Sequence, residues 1–484
     1  MTGRARARGF LLAAALAAAA SPATGAVRSV PPRDGAVSAA LAVANDGDTV
    51  RLEAGIHRGP LTVGRRVRLV GDPGAVLDGG GAATVLTVTA SGARVESLEV
   101  RGSGRDVLTL DAGVHVVGAR GVVLRGLRLS DVLYGIAGER ADSIVIDGCA
   151  LAGRVRPALE AGADLNEAEG NGIHLWYCRD AVVRRSSATR FMDGVYLSFV
   201  DRIQVADSRF SGNGRYGFHT MYCQENRLVG NRFVANLAGC AIMFSNHLVV
   251  ERNEFLRNRG PRTYGLLLRD CSSGAFTGNR LIDNTIAIFM DGSNRNVFRR
   301  NLVQDNGWGL LLFSSCAGNE FAENDFLNDD YPVALDMRRS DNRFDDGRRG
   351  NYWSGNAPYD LDGDGVSDVP YAPVTAFAFL SKQYPDLAIL AQSPAANALT
   401  MAERTIPALR PSEIVDRFPL VAPAPIPAPP DAARQRAGDA RVVAASDDVP
   451  GAGSTARRSS LPAAAGFLAL AAGGLAGLAA RRSA

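Results

Sequence analysis

The chain has 484 residues, more than one ordinary globular core supports, and it carries 53 glycines with few helix-period segments. Its 53 basic and 50 acidic residues leave a formal net charge of +3, a near balance that excludes a nucleic-acid surface built on bulk charge. Nearly all the positive charge is arginine, and Lys382 is the single lysine, so lysine is excluded as a catalytic base in the rest of the chain.

At the N-terminus Arg4, Arg6 and Arg8 precede an apolar run over residues 10–20, and Ala23 and Ala26 supply small residues for cleavage. Residues 1–26 therefore read as a signal peptide, with the mature chain starting near Val27 outside the cytoplasm. Residues 36–44 have a short helical pattern suited to capping an open sheet end. Strand-like runs follow at 49–52, 61–63, 67–70, 85–88 and 95–100, bounded by turn residues.

The chain then repeats itself about every 22 residues. Gly172, Gly194, Gly217, Gly239, Gly265, Ala287 and Gly309 fall at steps of 22, 23, 22, 26, 22 and 22, each opening a strand-like run. Asn231, Asn253, Asn279, Asn301 and Asn324 form a second series, most with another Asn five residues on (Asn236, Asn258, Asn284, Asn306). This period predicts an all-β fold, a right-handed parallel β-helix over residues 27–349 with one coil per repeat. Counted from the register glycine, positions +1 and +3 are nearly all apolar and are expected to face the core, leaving +2 and +4 outside. The asparagines are expected at turns, bonding to their counterparts above and below. An insertion over 152–169, polar and rich in Arg and Glu, breaks the register before Gly172. Such insertions fall on one face of a solenoid and are often functional.

After Arg349 the pattern changes, and residues 350–420 read as a C-terminal cap with part-helical character over 377–408. Residues 421–460, rich in Pro, Ala, Asp and Arg, read as a flexible tether. Residues 461–484 hold an apolar Ala- and Gly-rich stretch followed by Arg481 and Arg482, either a membrane anchor or a cleaved sorting tail. The six cysteines do not suggest a disulfide framework: Cys178 and Cys223 share a column two coils apart, roughly 10 Å at the ~4.8 Å strand spacing.

The outward columns hold the candidate chemistry. Position +2 reads His174, Tyr196, His219 and Ala241, and position +4 reads Trp176, Ser198, Met221 and Met243. His174, His219, Met221 and Met243 are thereby gathered on one exposed patch, a set of imidazole and thioether groups suited to Cu(I). The competing reading is a docking surface for a partner or for the chain's own C-terminal part. In the cap, Asp360, Asp362, Asp364 and Asp368 match the opening of a calcium loop, with Gly365 at the sixth position and Tyr371 where the closing acid would stand. A structural Ca²⁺ is expected there. Carboxylates for a polysaccharide lyase or epimerase (Asp193, Asp270, Asp291, with Arg269 and Tyr196) do not converge; Arg269 and Asp291 read as a surface ion pair.

The segments 170–176, 216–222 and 241–245, with Gly350-Asn-Tyr-Trp-Ser354 and the acidic stretch 359–371, together resemble the NosD family. The resemblance covers roughly residues 27–420. It implies a non-enzymatic periplasmic accessory protein of nitrous oxide reductase maturation. Such a protein works with the ATPase and membrane subunits of an ABC transporter and with a copper chaperone to assemble the copper sulfide centre. The tether and apolar C-terminus depart from the family's usual pattern and favour tethering to the membrane. The alternative is a carbohydrate-active β-helix enzyme or sugar-binding module.

Overall fold

A computed structural model describes residues 25–154, 170–261, 263–337, 339–384, 387, 393–406 and 412–426. The expected signal peptide up to residue 24, most of the 152–169 insertion, most of the expected tether and the apolar C-terminal stretch lie outside the described residues.

The chain winds into a parallel β-helix of three sheets, with 13, 12 and 13 strands among the described residues. Every strand pairs in parallel with its counterpart one coil away. Helix α1 (Ala36–Val43) buries Val37 and Leu41 over the first coils, as the N-terminal pattern indicates. The strand-like run 95–100 is a correction: it is two strands, Arg94–Glu96 and Glu99–Arg101, in different sheets. Ser97 between them has φ 54°, and this left-handed residue turns the corner that an alternation pattern cannot show.

Many corners are made this way by residues other than glycine, among them Tyr177, Phe199, Tyr222 and Phe244. Each such residue costs about 1–2 kcal/mol relative to right-handed backbone. The cost is offset because each corner N–H bonds to the next coil, as Phe199 N does to Met221 O at 3.0 Å and Phe244 N to Arg269 O at 2.9 Å. The register glycines have a different cause. A Cβ on Gly194 would stand 2.6 Å from Gly217 O, and one on Gly217 would stand 2.7 Å from Gly239 O, so adjacent coils approach too closely for a side chain.

Positions +1 and +3 face the core as expected: Ile173, Leu175, Val195, Leu197, Phe218, Cys240 and Ile242 are all fully buried. Phenylalanines stack up the interior, with Phe276 and Phe298 centroids 4.5 Å apart and Phe298 and Phe321 4.8 Å apart. The asparagine series are buried ladders. Asn253 Oδ1 accepts from Asn231 N at 2.9 Å and from Asn231 Nδ2 at 3.0 Å. Its own Nδ2 donates to Leu228 O at 2.9 Å and to Asn279 Oδ1 at 3.1 Å. Every polar atom of such a rung is satisfied, which is what permits an amide in an apolar interior. A further ladder, Asn296, Asn319 and Asn342, supports the same coils.

The first two ladders end in carboxylates. Asn351 and Trp353 of the Asn-Tyr-Trp segment converge on Asp416, whose Oδ2 accepts from Asn351 N at 2.7 Å and Trp353 Nε1 at 2.8 Å. Arg417 clamps Asp345, so the 412–420 segment closes the last coil. Helix α2 (Ala376–Gln383) lies against the strand Tyr331–Leu335, and helix α3 (Pro394–Thr405) follows. At its start the expected tether is still docked: Ala424 N donates to Asp325 Oδ1 at 2.8 Å. Among the described residues no helix is long and apolar enough to cross a membrane.

The other ladder ends at Asp329, whose Oδ1 accepts from Asn306 N and Nδ2 at 2.9 and 2.8 Å. Its Oδ2 is buried without a hydrogen-bond partner among the described residues and lies over Gly309, just as the Nδ2 of Asn236 lies over Gly217. Burial pushes the Asp329 carboxyl up to about 7. Because the folded value is raised, the protonated form favours folding, and that contribution is lost as pH rises through about 7. Asp329→Asn continues the ladder without a charge. It is expected to stabilise the protein at pH 8 by roughly 1–3 kcal/mol and to have little effect near pH 3, below the ordinary carboxylate range, measured by urea unfolding at the two pH values.

Candidate metal centre

The sheet that carries the register glycines contains the strands Ile173–Trp176, Asp193–Ser198, Tyr216–Met221 and Ala238–Met243. Their pairing skips the glycine: Asp193 pairs with Tyr216 and Val195 with Phe218. Position −1 therefore joins +2 and +4 on the outer side, which simple alternation from +1 would not give.

Column +2 runs His115, Ala137, His174, Tyr196, His219, Ala241 in successive coils. Column +4 beside it runs Glu139, Trp176, Ser198, Met221, Met243. The structure thus places His174, His219, Met221 and Met243 on one side of the sheet, with Met243 directly one coil from Met221. Tyr196 separates the two imidazoles, with ring centroids 5.0 Å from His174 and 4.9 Å from His219.

The expected exposed patch is, however, largely covered. His219 is only 6% exposed, while His174, Met221 and Met243 are half-buried. The cause lies in the −1 position and the corner before it. Tyr216 packs edge-on against His219 at 4.8 Å, and the Arg215 guanidinium lies over the Tyr216 ring at 5.1 Å. Beneath them Asp193 is fully buried and bound by Arg215 through two hydrogen bonds of 2.9 and 2.6 Å. The same carboxylate reaches His219 Nδ1 at 3.1 Å. Burial drives the Asp193 carboxyl up, but Arg215 and then His219 outweigh it and hold it at about 2.

His174 has different partners. Asn171 Nδ2 lies 3.0 Å from its Nδ1, and burial pushes the imidazole down to about 4, so it is neutral at physiological pH. His115 is also lowered by burial, and its Nε2 is buried without a hydrogen-bond partner among the described residues. His219 Nε2 is in the same condition. Tyr196 Oη donates to Met221 Sδ at 3.8 Å, and Met243 packs with Ala241, Leu267, Phe289 and Leu311 in an apolar cluster further along the column. The cysteines do not contribute. All six are buried and free of disulfides, and burial pushes the Cys223 and Cys271 thiols up to about 12, far from the thiolate a metal requires.

Sequence reasoning did not connect Asp193 and Arg215 to His219, and it passed over His115. The available signal was an Asp and an Arg–Tyr pair immediately before register glycines of adjacent coils. It also missed column +5, where Tyr177, Phe199, Tyr222 and Phe244 stack at centroid distances of 4.7, 5.2 and 4.9 Å along one corner. The first three are 41–45% exposed and, with Arg140, Asp142, Arg179 and Asp201, line a groove of about 570 Å³.

In the cap, Asp360, Asp362 and Asp364 bring one carboxylate oxygen each within 4.8 Å of one another. Asp368 stands apart from that trio and accepts from Leu361 N at 2.8 Å. Tyr371 pairs with Asp416 through its main chain and faces Trp353. Arg269 and Asp291 form the expected ion pair at 3.5 Å.

Fold and site together define a β-helical protein with a shielded imidazole–thioether cluster on one outer sheet. A family model described as "Periplasmic copper-binding protein (NosD)" matches residues 158–357. A curated relative from Pseudomonas aeruginosa, named "Probable ABC transporter binding protein NosD", is 30% identical over 78% of this chain and 89% of its own. A relative of the same name from Stutzerimonas stutzeri is 26% identical over 77% of this chain and 86% of its own. Among solved structures, a family 28 exopolygalacturonase from Yersinia enterocolitica aligns with a TM-score of 0.49 and 10% identity, covering 65% of this chain and 78% of that one. The chain belongs to the NosD family.

Removing Arg215 leaves the Asp193 charge buried without its main partner. Arg215→Ala is expected to lower stability by about 3–5 kcal/mol. Arg202→Ala, which breaks the exposed pair with Asp180, is expected to leave the melting curve unchanged. Paired denaturant melts of the two variants check this.

Proposed function

We propose that this chain is an exported, periplasmic accessory protein that helps supply copper to nitrous oxide reductase. In this reading it works with the ATPase and membrane subunits of an ABC transporter and with a copper chaperone. The observation that carries it is the orphaned Nε2 of His219, a buried imidazole nitrogen on the outer side of the sheet with the thioether-bearing Met221 two residues on. An unpaired buried polar atom is costly, and a soft metal is a partner suited to it. Within the patch His219, Met221 and Met243 are the residues that would meet copper, and their chemistry suits Cu(I) in transit, while His174 beside them belongs to the docking side of the same patch. The family description as copper-binding and the relatives' names as transporter binding proteins support the same reading.

The exposed aromatic stack at Tyr177, Phe199 and Tyr222 adjoins this cluster, since Tyr222 follows Met221, and it fits a partner-docking surface. A carbohydrate-active enzyme would need accessible acid–base groups; Asp193 is fully buried against Arg215, and Asp291 is paired with Arg269. Retention at the membrane through the C-terminal tail belongs to the same proposal.

Two tests follow from this reading. Met221→Leu combined with Met243→Leu, introduced in the full chain, is expected to weaken Cu(I) binding in a competition titration and to lower the copper content of the reductase in cells. Unchanged copper in both assays would remove the cluster as a copper route. For the cap, Asp360, Asp362 and Asp364 are proposed to hold Ca²⁺ and rigidify the closing loop, with Asp368, apart from the trio, bracing the loop through Leu361 N. A calcium chelator is then expected to lower the melting temperature, and an identical melting curve with and without chelator would rule that ion out.

A further inference from the structure

Two of the three imidazoles of the outward column, His174 and His219, face opposite kinds of partner. His219 Nδ1 lies 3.1 Å from Asp193 Oδ2. A carboxylate held by both hydrogen bonds of Arg215 can only accept, so His219 Nδ1 must carry the proton. In the neutral ring its Nε2 is then an unprotonated lone pair, buried and without a hydrogen-bond partner among the described residues. His174 is the reverse. Asn171 Oδ1 accepts from Asp193 N at 3.2 Å, which fixes the orientation of the amide. Asn171 Nδ2 is therefore the atom facing His174 Nδ1, 3.0 Å away, and it donates. That occupies the Nδ1 lone pair, and a neutral His174 carries its proton on Nε2.

Both assignments pass through Asp193: its side chain orients one ring, and its main-chain N–H orients the amide that orients the other. We propose that the column holds these two imidazoles in opposite tautomers, so that His219 offers a nitrogen lone pair to a soft metal while His174 offers an N–H. Asp193 and Arg215 are then positioning residues for His219, in the carboxylate–histidine arrangement that raises ligand basicity and fixes ring orientation at metal sites. Met221, on the same strand two residues on and on the same side, is the thioether nearest in sequence to that lone pair. Its sulfur already accepts from Tyr196 Oη at 3.8 Å, leaving a second lone pair for a metal. His174, presenting a donor, suits a carbonyl or carboxylate on an approaching partner. This ligand assignment rests on the copper reading above; the tautomer split does not.

The test uses the full chain labelled with ¹⁵N at histidine. In metal-free protein at neutral pH, imidazole nitrogen shifts are expected to report Nδ1–H for His219 and Nε2–H for His174. Asp193→Asn is expected to weaken the His219 signature while leaving that of His174, because the main-chain N–H to Asn171 is retained. On titration with Ag(I), a redox-stable stand-in for Cu(I), the His219 Nε2 resonance is expected to move while His174 stays. His219→Gln is expected to weaken Ag(I) binding about tenfold or more, and His174→Gln to change it by less than about twofold. A protonated Nε2 on His219 in the native protein overturns the inference whatever the metal affinity. Correct tautomers with no Ag(I)-dependent shift at His219 would instead overturn the ligand role and the copper reading beneath it. Equal losses in the two glutamine variants would overturn the division of labour between the rings.

Discussion

Main-chain hydrogen bonds between successive coils set the vertical neighbours of every residue in this protein. Each strand pairs in parallel with its counterpart one repeat away, and even the corners bond upward, as Tyr177 N does to Ser198 O. The rest of the architecture adapts to that spacing. Glycine is required where the next coil's carbonyl comes too near for a Cβ. Left-handed arginines, aspartates and aromatics are tolerated because their amides are held. Asparagine is admitted to the interior because it reproduces, in its side chain, the same one-up and one-down pattern of donors and acceptors.

The same spacing creates the cluster around Asp193. A carboxylate, a guanidinium and an imidazole taken from two coils meet only because residues 22 and 26 apart become neighbours. Burying such a group seldom adds stability compared with an apolar substitute. Its value here lies in orientation: Asp193 is held at both oxygens by Arg215, and it in turn holds His219. Further along the same column the character changes to Ala241, Leu267, Phe289 and Leu311, which pack as an apolar cluster. The polar residues of that column are therefore confined to the coils below Ala241, while in the neighbouring column Met243 is followed by the Arg269–Asp291 ion pair.

Much of the architecture was legible from the period alone. Register glycines, inward +1 and +3 residues and the asparagine ladders follow directly from a 22-residue spacing, and they are found where the spacing puts them. Column membership of His174, His219, Met221 and Met243 was legible for the same reason. Their shielding was not. The strand pairing steps over the glycine, so Asp193 and Tyr216 point to the side that strict alternation denies them. Side-chain tautomers depend on third partners, here Asn171 and Arg215, whose relation to the rings appears only in three dimensions. Corners such as Ser97, where a residue other than glycine turns the chain, leave no compositional trace, and this is why the run 95–100 looked like one strand. The aromatic stack from Tyr177 to Phe244 was written in the sequence at the same interval, one place beyond the columns that drew attention.

The ladder that lets one coil follow another also governs how such a protein can diverge. Duplicating or losing a whole 22-residue unit near either end would preserve every contact type, since each turn meets its neighbours through interchangeable surfaces. The stretch from Asn171 to Met243 lacks that freedom. Excising the turn that bears Tyr196 would leave a sound rod, with glycines aligned and amides paired, yet it would delete Asp193 and strand His219 without its anchor. Over these few turns the residue count is tied to the contacts of the Asp193 cluster, while elsewhere a turn added or lost would break no such set.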